Sequence, residues 1–330
     1  MKTTPIILTV VALSVLAGCE PTDGEKKSSS KGKELLTVDF KEGQKLRYKF
    51  VSSREITIDW DVTKEESKSD KRTSDKSSES LETIMAYTPI KIDPYGLTTI
   101  KATCESVKVA RSKGPRKDAV ESLAGKTFTL AVAPTGKIKD NSQLDALLKE
   151  IGEKAFRANT DKGRIKEPDM ICDFVATQWF LWDAVSSIEK PAEGVAVGQS
   201  WKSKLSVPTP MVMRKARDVV YKFDEIRQSE KGRFAVISSS YQQADSTPNE
   251  WPIPYSGTFQ VSGTFGFYRN YQVQDLQGQG QELFNIDTGR TEQYNQQYQM
   301  QLKASLLLPL AGVNPRITIN QNLTMKLLEN

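Results

Sequence analysis

The chain is predicted to be a mainly β (α+β) protein. It should form an antiparallel sheet, open half-barrel or sandwich of two related β halves, with a two-helix insertion between them. Three observations predict it. Apolar residues recur at every second position over long stretches, two short phrases recur in the same order at nearly equal spacing, and only one region changes to helical spacing. With 330 residues, 38% of them hydrophobic and 26% charged, the chain is long enough to bury a sizeable core.

The N-terminus stands apart from that body. Lys2 supplies a positive start, and Ile6 to Ala17 is mostly apolar but shorter than the ~20 residues a membrane-spanning helix needs. Residues 1–18 therefore read as a secretory signal peptide. Leu16-Ala17-Gly18-Cys19 resembles the bacterial lipobox. That resemblance implies that Cys19 is lipidated, with palmitate among its acyl chains, and becomes the first mature residue. Two or more chains anchor stably, each buried CH₂ adding ~0.8 kcal/mol. Glu20, where an aspartate commonly retains such lipoproteins at the inner membrane, favours the outer membrane of the cell envelope. Residues 19–36 form the expected tether. Lys26, Lys27, Lys31 and Lys33 balance Glu20, Asp23, Glu25 and Glu34, and serines and glycines fill the space between.

The first β half spans residues 37–140. Leu46, Tyr48, Phe50, Ile56, Ile58, Trp60 and Val62 share one parity, with polar residues on the other, as in a strand with one wet face. Ser52 to Arg54 interrupts the apolar side and predicts a bend or bulge. A phase slip around Cys104 predicts another. Hairpin turns are expected at Asp93-Pro94-Tyr95-Gly96, Pro134-Thr135-Gly136-Lys137 and Asp287-Thr288-Gly289-Arg290. The low-complexity run Ser67 to Ser80 reads as a hairpin tip.

Residues 141–190 form the helical segment. Leu144, Leu147, Leu148, Ile151 and Ala155 follow helical spacing after Asp140, with Gln143 in the position of a capping box. A second helix is expected over 168–188, carrying Phe174, Trp179 and Trp182. The second β half, 191–330, returns to alternation at Phe259 to Phe267, Tyr294 to Leu302 and Ile317 to Leu327.

The halves echo one another. Glu42-Gly43-Gln44-Lys45-Leu46 resembles Val197-Gly198-Gln199-Ser200-Trp201, and Leu130 to Ile138 resembles Leu283 to Thr291. Gly43 to Gly136 is 93 residues and Gly198 to Gly289 is 91. The linker Ser187 to Ala196, running into Val-Gly-Gln-Ser-Trp, resembles a family of uncharacterised β-rich secreted and lipid-anchored bacterial proteins with a "vGdsW" phrase in mid-chain. Gln199 stands where that phrase has an acidic residue. The family has no established catalytic residues, so the resemblance implies architecture alone.

The candidate chemistry is sparse. Histidine is absent, which removes the Ser-His-Asp and Cys-His systems and every His-ligated metal site. The net charge of +5 has no concentrated patch and argues against nucleic acid. Cys104 and Cys172 are candidates for a disulfide in an oxidising envelope, the other reading being a buried free thiol. Ser187 to Lys190 matches S-x-x-K without companion motifs. Tyr48, Phe50, Trp60, Trp179, Trp182, Phe265 and Phe267 are candidates either for a ligand cavity or for the core. Ser256 to Gln281 contains only Arg269 and Asp275 as charged residues, and glutamine-rich strands continue to Gln301.

The expectation is a non-enzymatic envelope protein with a binding or structural role at the membrane surface, held by its lipid anchor. It needs no metal and no cofactor, and its contact with an envelope partner falls on the charge-poor half. The alternative is a carrier of a lipid or other apolar ligand between curved sheet and helices.

Overall fold

A computed structural model describes residues 32–60, 74–113, 118–158, 165–166, 170–189, 193–206, 216–247, 261–262, 268–306 and 315–329. Cys19, the signal peptide, Phe265 and Phe267 lie outside the described residues. The chain enters the fold as β1 (Lys33–Glu34). It then meanders through β2 (Leu46–Asp59), β3 (Ser74–Ile92), β4 (Thr98–Arg111), β5 (Thr127–Val132) and β6 (Ile138–Asp140). The helical segment follows: α1 (Ser142–Ala158), the short β7 (Ile165–Lys166), α2 (Ile171–Phe180) and α3 (Asp183–Ser186). The second half comprises β8 (Val195–Ala196), β9 (Ser200–Ser206), β10 (Ala216–Ser229), β11 (Gly232–Gln243), β12 (Val261–Ser262), β13 (Tyr268–Asn285), β14 (Arg290–Leu306) and β15 (Arg316–Leu328).

Eleven strands form one open antiparallel sheet in the order β6-β5-β4-β3-β2-β15-β14-β13-β11-β10-β9. Two further pairs stand apart, β1 with β8 antiparallel and β7 with β12 parallel. The first half walks from the middle of the sheet to one edge. The helical segment then connects to the opposite edge, and the second half walks back until β15 pairs with β2. Both halves thus cross the sheet in the same direction, as a tandem repeat does. The repeated glycines mark equivalent places: Gly43 and Gly198 precede β2 and β9, and Gly136 and Gly289 sit in the β5–β6 and β13–β14 turns. All four have positive φ (76°, 89°, 82° and 58°), a region that costs other residues energy.

Those two turns also show that the sheet is curved. The backbone N–H of Val38 donates to Pro134 in the first turn and that of Asp39 to Gly289 in the second, both at 2.9 Å. Donors on adjacent residues hold the two carbonyls within about 10 Å. On a flat sheet β5 and β14 would lie about 24 Å apart, five strand spacings. The sheet therefore bends into a trough, with residues 36–40 strapped across one end.

The core fills the concave side. Tyr48, Phe50, Tyr221, Phe223, Phe284 and Tyr294 from the sheet are fully buried, and α1 and α2 contribute Leu144, Leu148, Phe174 and Phe180 to the same cluster. Several expectations are corrected. β2 keeps unbroken register with β3 and β15, so Ser52 to Arg54 is not a bulge; both side chains stay on the buried face. The bulge near Cys104 is present, as a register shift opposite Ile84 and Met85. Residues 168–188 are not one helix, because the chain breaks at Trp182 (φ −138°, ψ 37°). Ser74 to Ser80 belongs to β3 rather than to a tip, and residues 61–73 lie outside the described residues. Asp140 accepts from the N–H of Ser142, but Gln143 accepts from Thr129 instead of closing a capping box. Residues 33–36, assigned to the tether, belong to the body, since Lys33 and Glu34 pair with Ala196 and Val195 and Leu36 is buried.

Removing glycine at these turns tests the strap. A Cβ on Gly43 would meet nothing within 4 Å, so Gly43→Ala should cost about 1 kcal/mol from φ alone. A Cβ on Gly289 would press into the backbone of Thr37 and Asp39, and one on Gly136 would lie 2.7 Å from Trp182 Cβ. Either alanine there should cost about 1–3 kcal/mol more than at Gly43, read from urea unfolding.

Candidate functional site

The concave face is polar where α2 and α3 cross it. Arg54, on β2, points inward with a side chain that is 0% exposed. Its Nε and Nη2 donate to Glu79 Oε2 (3.1 and 2.8 Å) and its Nη1 to Asp173 Oδ2 on α2 (2.7 Å). Asp173 Oδ1 accepts from Ser52 (2.8 Å) and Gln321 (2.7 Å), and the Tyr298 hydroxyl donates to Gln321. Burial works to lower the pKa of Arg54, but the charges of Asp173 and Glu79 outweigh it and hold the guanidinium firmly protonated. Burial pushes Glu79 up, against the pull of Arg54. Nearby, Tyr87 donates to Gln178 Oε1 at 2.6 Å.

A second polar group fastens α3. Tyr294 donates to Asp183 Oδ2 (2.9 Å), and Glu282 accepts from the N–H of Ala184 (2.8 Å) and from Thr291 (2.7 Å). The Arg217 guanidinium lies 4.6 Å from the centre of the Tyr241 ring and 5.7 Å from that of Phe180. Burial raises Glu282 to about 8, so it stays protonated at neutral pH. Burial also raises Asp183, with Arg217 opposing. At the start of α2, Asp118 accepts from the N–H of Met170, pairs with Arg111 and caps the 3₁₀ turn Ala119–Leu123.

These carboxylates are buried; Asp118, Asp173 and Glu282 are engaged on both oxygens, Glu79 through Oε2 and Asp183 through Oδ2. The arrangement binds helices to sheet. Among the described residues no group of three or more Cys, Asp or Glu side chains is placed to hold a metal.

The convex face divides sharply along the chain. Over β2–β4 it carries ion pairs: Lys45 and Arg47 with Glu105, and Lys49 with Glu82. Over β13–β15 it carries amides. Gln279 faces Gln297, which faces Asn322, and Gln277 faces Gln299, which faces Asn320; Gln299 donates to Asn320 at 2.9 Å. These six side chains line a shallow depression of about 420 Å³. The outward-facing amides of β13–β15 therefore form one continuous surface.

Of the sequence-predicted aromatics that are described, Tyr48, Phe50 and Trp182 are core residues. Tyr48 and Phe50 are fully buried, and Tyr48 donates to the Thr291 carbonyl. Trp182 is buried edge-on to Phe40, Trp60 is partly buried against the core, and Trp179 is exposed on α2. They do not meet at a common pocket. Cys104 is a free, buried thiol rather than half of a disulfide with Cys172; its Sγ lies 3.8 Å from the Ser106 carbonyl in the core, and burial pushes it up to about 12. The side chain of Cys172 lies outside the described residues. The polar seam itself was missed. Its signals in the sequence are polar residues on apolar parities, Ser52 and Arg54 on β2 and Gln321 on β15.

Together, the open curved antiparallel sheet, the helices held in its trough and the bare amide face define a mainly β helix-filled half-barrel. No protein-family model matches the chain, and no curated protein sequence does. Among solved structures the chain is similar to one described as "lipid-protein interactions in lipovitellin", at 8% identity and a TM-score of 0.47. The match covers 88% of this chain and 26% of that one, so the chain spans about a quarter of its length.

Asp173→Ala should strand Arg54 with one carboxylate in a dry site and cost about 3–5 kcal/mol in urea unfolding. Replacing Arg54, Glu79 and Asp173 together by apolar residues of similar volume should recover most of that loss. Glu282 gives a pH signature. The unfolded chain loses this proton near the ordinary value of 4.5, whereas the fold retains it to about 8. Stability should therefore fall as pH rises through that window and level off above it. Glu282→Gln should flatten the slope, as read by unfolding midpoints at pH 5 and pH 8.

Proposed function

We propose that this chain is a lipid-anchored bacterial envelope protein, acylated at Cys19 and most at home on the outer membrane, with a non-catalytic binding role. Its partner surface is the convex face of β13–β15. One observation carries the reading: the amide field of Gln277, Gln279, Gln297, Gln299, Asn320 and Asn322 is uncharged, contiguous and uncovered by any described residue, on a protein whose neighbouring strands are laced with ion pairs. Charge depletion is the compositional mark of an interface centre. Each amide also presents both a donor and an acceptor to a partner. The buried carboxylates serve the helix–sheet contact, which leaves the outer face for recognition.

A second reading, carriage of an apolar ligand beneath the helices, draws support from how α2 and α3 are held. Asp173, Gln178, Asp183 and Ala184 attach to the sheet by hydrogen bonds that water can replace once the layers separate. Lipid found by mass spectrometry in gently purified protein would favour this reading; lipid-free protein would remove it.

The main reading is tested in intact cells. Labelled palmitate should enter the wild-type chain and not Cys19→Ala. A photo-crosslinker at Gln299 should give an adduct of defined mass that one at Lys108, on the ion-paired half, does not. Adding Gln297→Glu and Asn322→Glu should reduce that adduct about tenfold, as expected for charges placed in an interface centre. Equal labelling at 299 and 108 would overturn the assignment of the face.

A further inference from the structure

One end of the trough carries five of the seven exposed large apolar side chains among the described residues. Tyr95, at the β3–β4 turn, is 90% exposed; Ile90 and Leu35 are 51% exposed, Leu97 38% and Val197 37%. A chain of contacts joins them. A Cβ on Gly96 would meet Pro134, and the Pro134 carbonyl accepts from Val38 in the strap, which Leu35 immediately precedes. Lys33, two residues before Leu35, pairs with Ala196, the neighbour of Val197. Pro89, next to Ile90, accepts from Gly43, three residues beyond the strap.

The fold does not use these side chains. Asp93 builds the β3–β4 turn by accepting from the N–H groups of Tyr95 and Leu97, both at 2.8 Å, and leaves the two side chains facing water. Exposed apolar groups collected at one place mark an interaction site. The position of the N-terminal segment says which. The body begins at Lys33, on this same end, 14 residues after Cys19. That stretch spans at most about 50 Å when fully extended. β2 alone runs about 46 Å from this end toward the other, so the opposite end reaches an anchoring bilayer only with the tether drawn out along the body.

We propose that this rim rests in the interfacial layer of the bilayer that holds Cys19, resting on the anchoring reading above. Tyr95 sits at headgroup depth, where an amphipathic ring is favoured, with Ile90, Leu97, Leu35 and Val197 beside it. Charges around the rim are mixed: Lys41, Lys91 and Lys137 stand against Asp39, Glu42 and Asp93. The contact is therefore apolar and insensitive to salt. The lipid anchor gives attachment and the rim gives orientation, which stands the strands upright and turns the amide face of β13–β15 sideways, away from the bilayer.

The test uses the full acylated chain in phosphatidylcholine vesicles with brominated acyl chains. A fluorophore is placed by Tyr95→Cys or, at the opposite end of the strands, by Lys113→Cys, with the unsubstituted chain as background. Flotation of the same sample reports anchoring. The label at 95 should lose most of its emission and that at 113 should not, and high salt should leave the difference unchanged. Ile90→Asp with Leu97→Asp should relieve the quenching at 95 while the protein still floats. Floating protein with equal emission at both positions overturns the rim alone, and protein that does not float overturns rim and anchor together. Quenching at 95 that vanishes when labelled copies are diluted with unlabelled ones would assign the rim to a second copy of the chain, and also overturn the proposal.

Discussion

Two neighbouring backbone amides set the shape on which everything else depends. Val38 and Asp39 tie the β5–β6 turn to the β13–β14 turn, and strands that would lie far apart on a flat sheet are drawn together at one end. The tie works only because Gly136 and Gly289 leave room for the strap and for Trp182. Curvature then makes an inside and an outside. It also fixes where the N-terminal segment leaves the body, because the strap continues directly from β1.

The inside is unusual in using charge where a trough of aromatic residues would be expected. Arg54, Glu79 and Asp173 are taken out of water together, and such clusters give little net stability compared with apolar packing. Their effect is to specify position. An Asp173 that must reach Arg54, Ser52 and Gln321 at once leaves α2 one place to sit on the sheet. Asp183 and Glu282 do the same for α3. Glu282 achieves it in the neutral form, accepting two hydrogen bonds without the cost of a buried charge. The helix layer is thereby held in register by directional contacts as well as by the apolar core around it.

The outside shows the opposite economy of charge. The two halves share a direction of travel across the sheet, and ion pairs mark β2–β4 in the first and β9–β11 in the second, yet β13–β15 present amides. Repetition dictates the inward-facing residues, since both halves must fill the same trough. The outward-facing residues are released from that demand, and there β13–β15 diverge from the charged strands on either side of them.

The class of fold, the helix α1, the three hairpin turns, the bulge near Cys104 and the tandem order of the halves are legible in the chain alone. Each is written in local periodicity or in a glycine that its turn requires. The sequence also pointed to the neutral face, because only Arg269 and Asp275 are charged between Ser256 and Gln281 and glutamines continue to Gln301. It misread Ser52 and Arg54 as a bend, since a polar residue on an apolar parity looks like an interruption until its partner is known. That partner, Asp173, is 119 residues from Arg54. The break at Trp182, the freedom of Cys104, the pairing of β15 with β2 and the end of the trough from which the N-terminus emerges were decided by the tertiary structure alone. All four depend on which distant segments meet, and no periodicity within a segment records that.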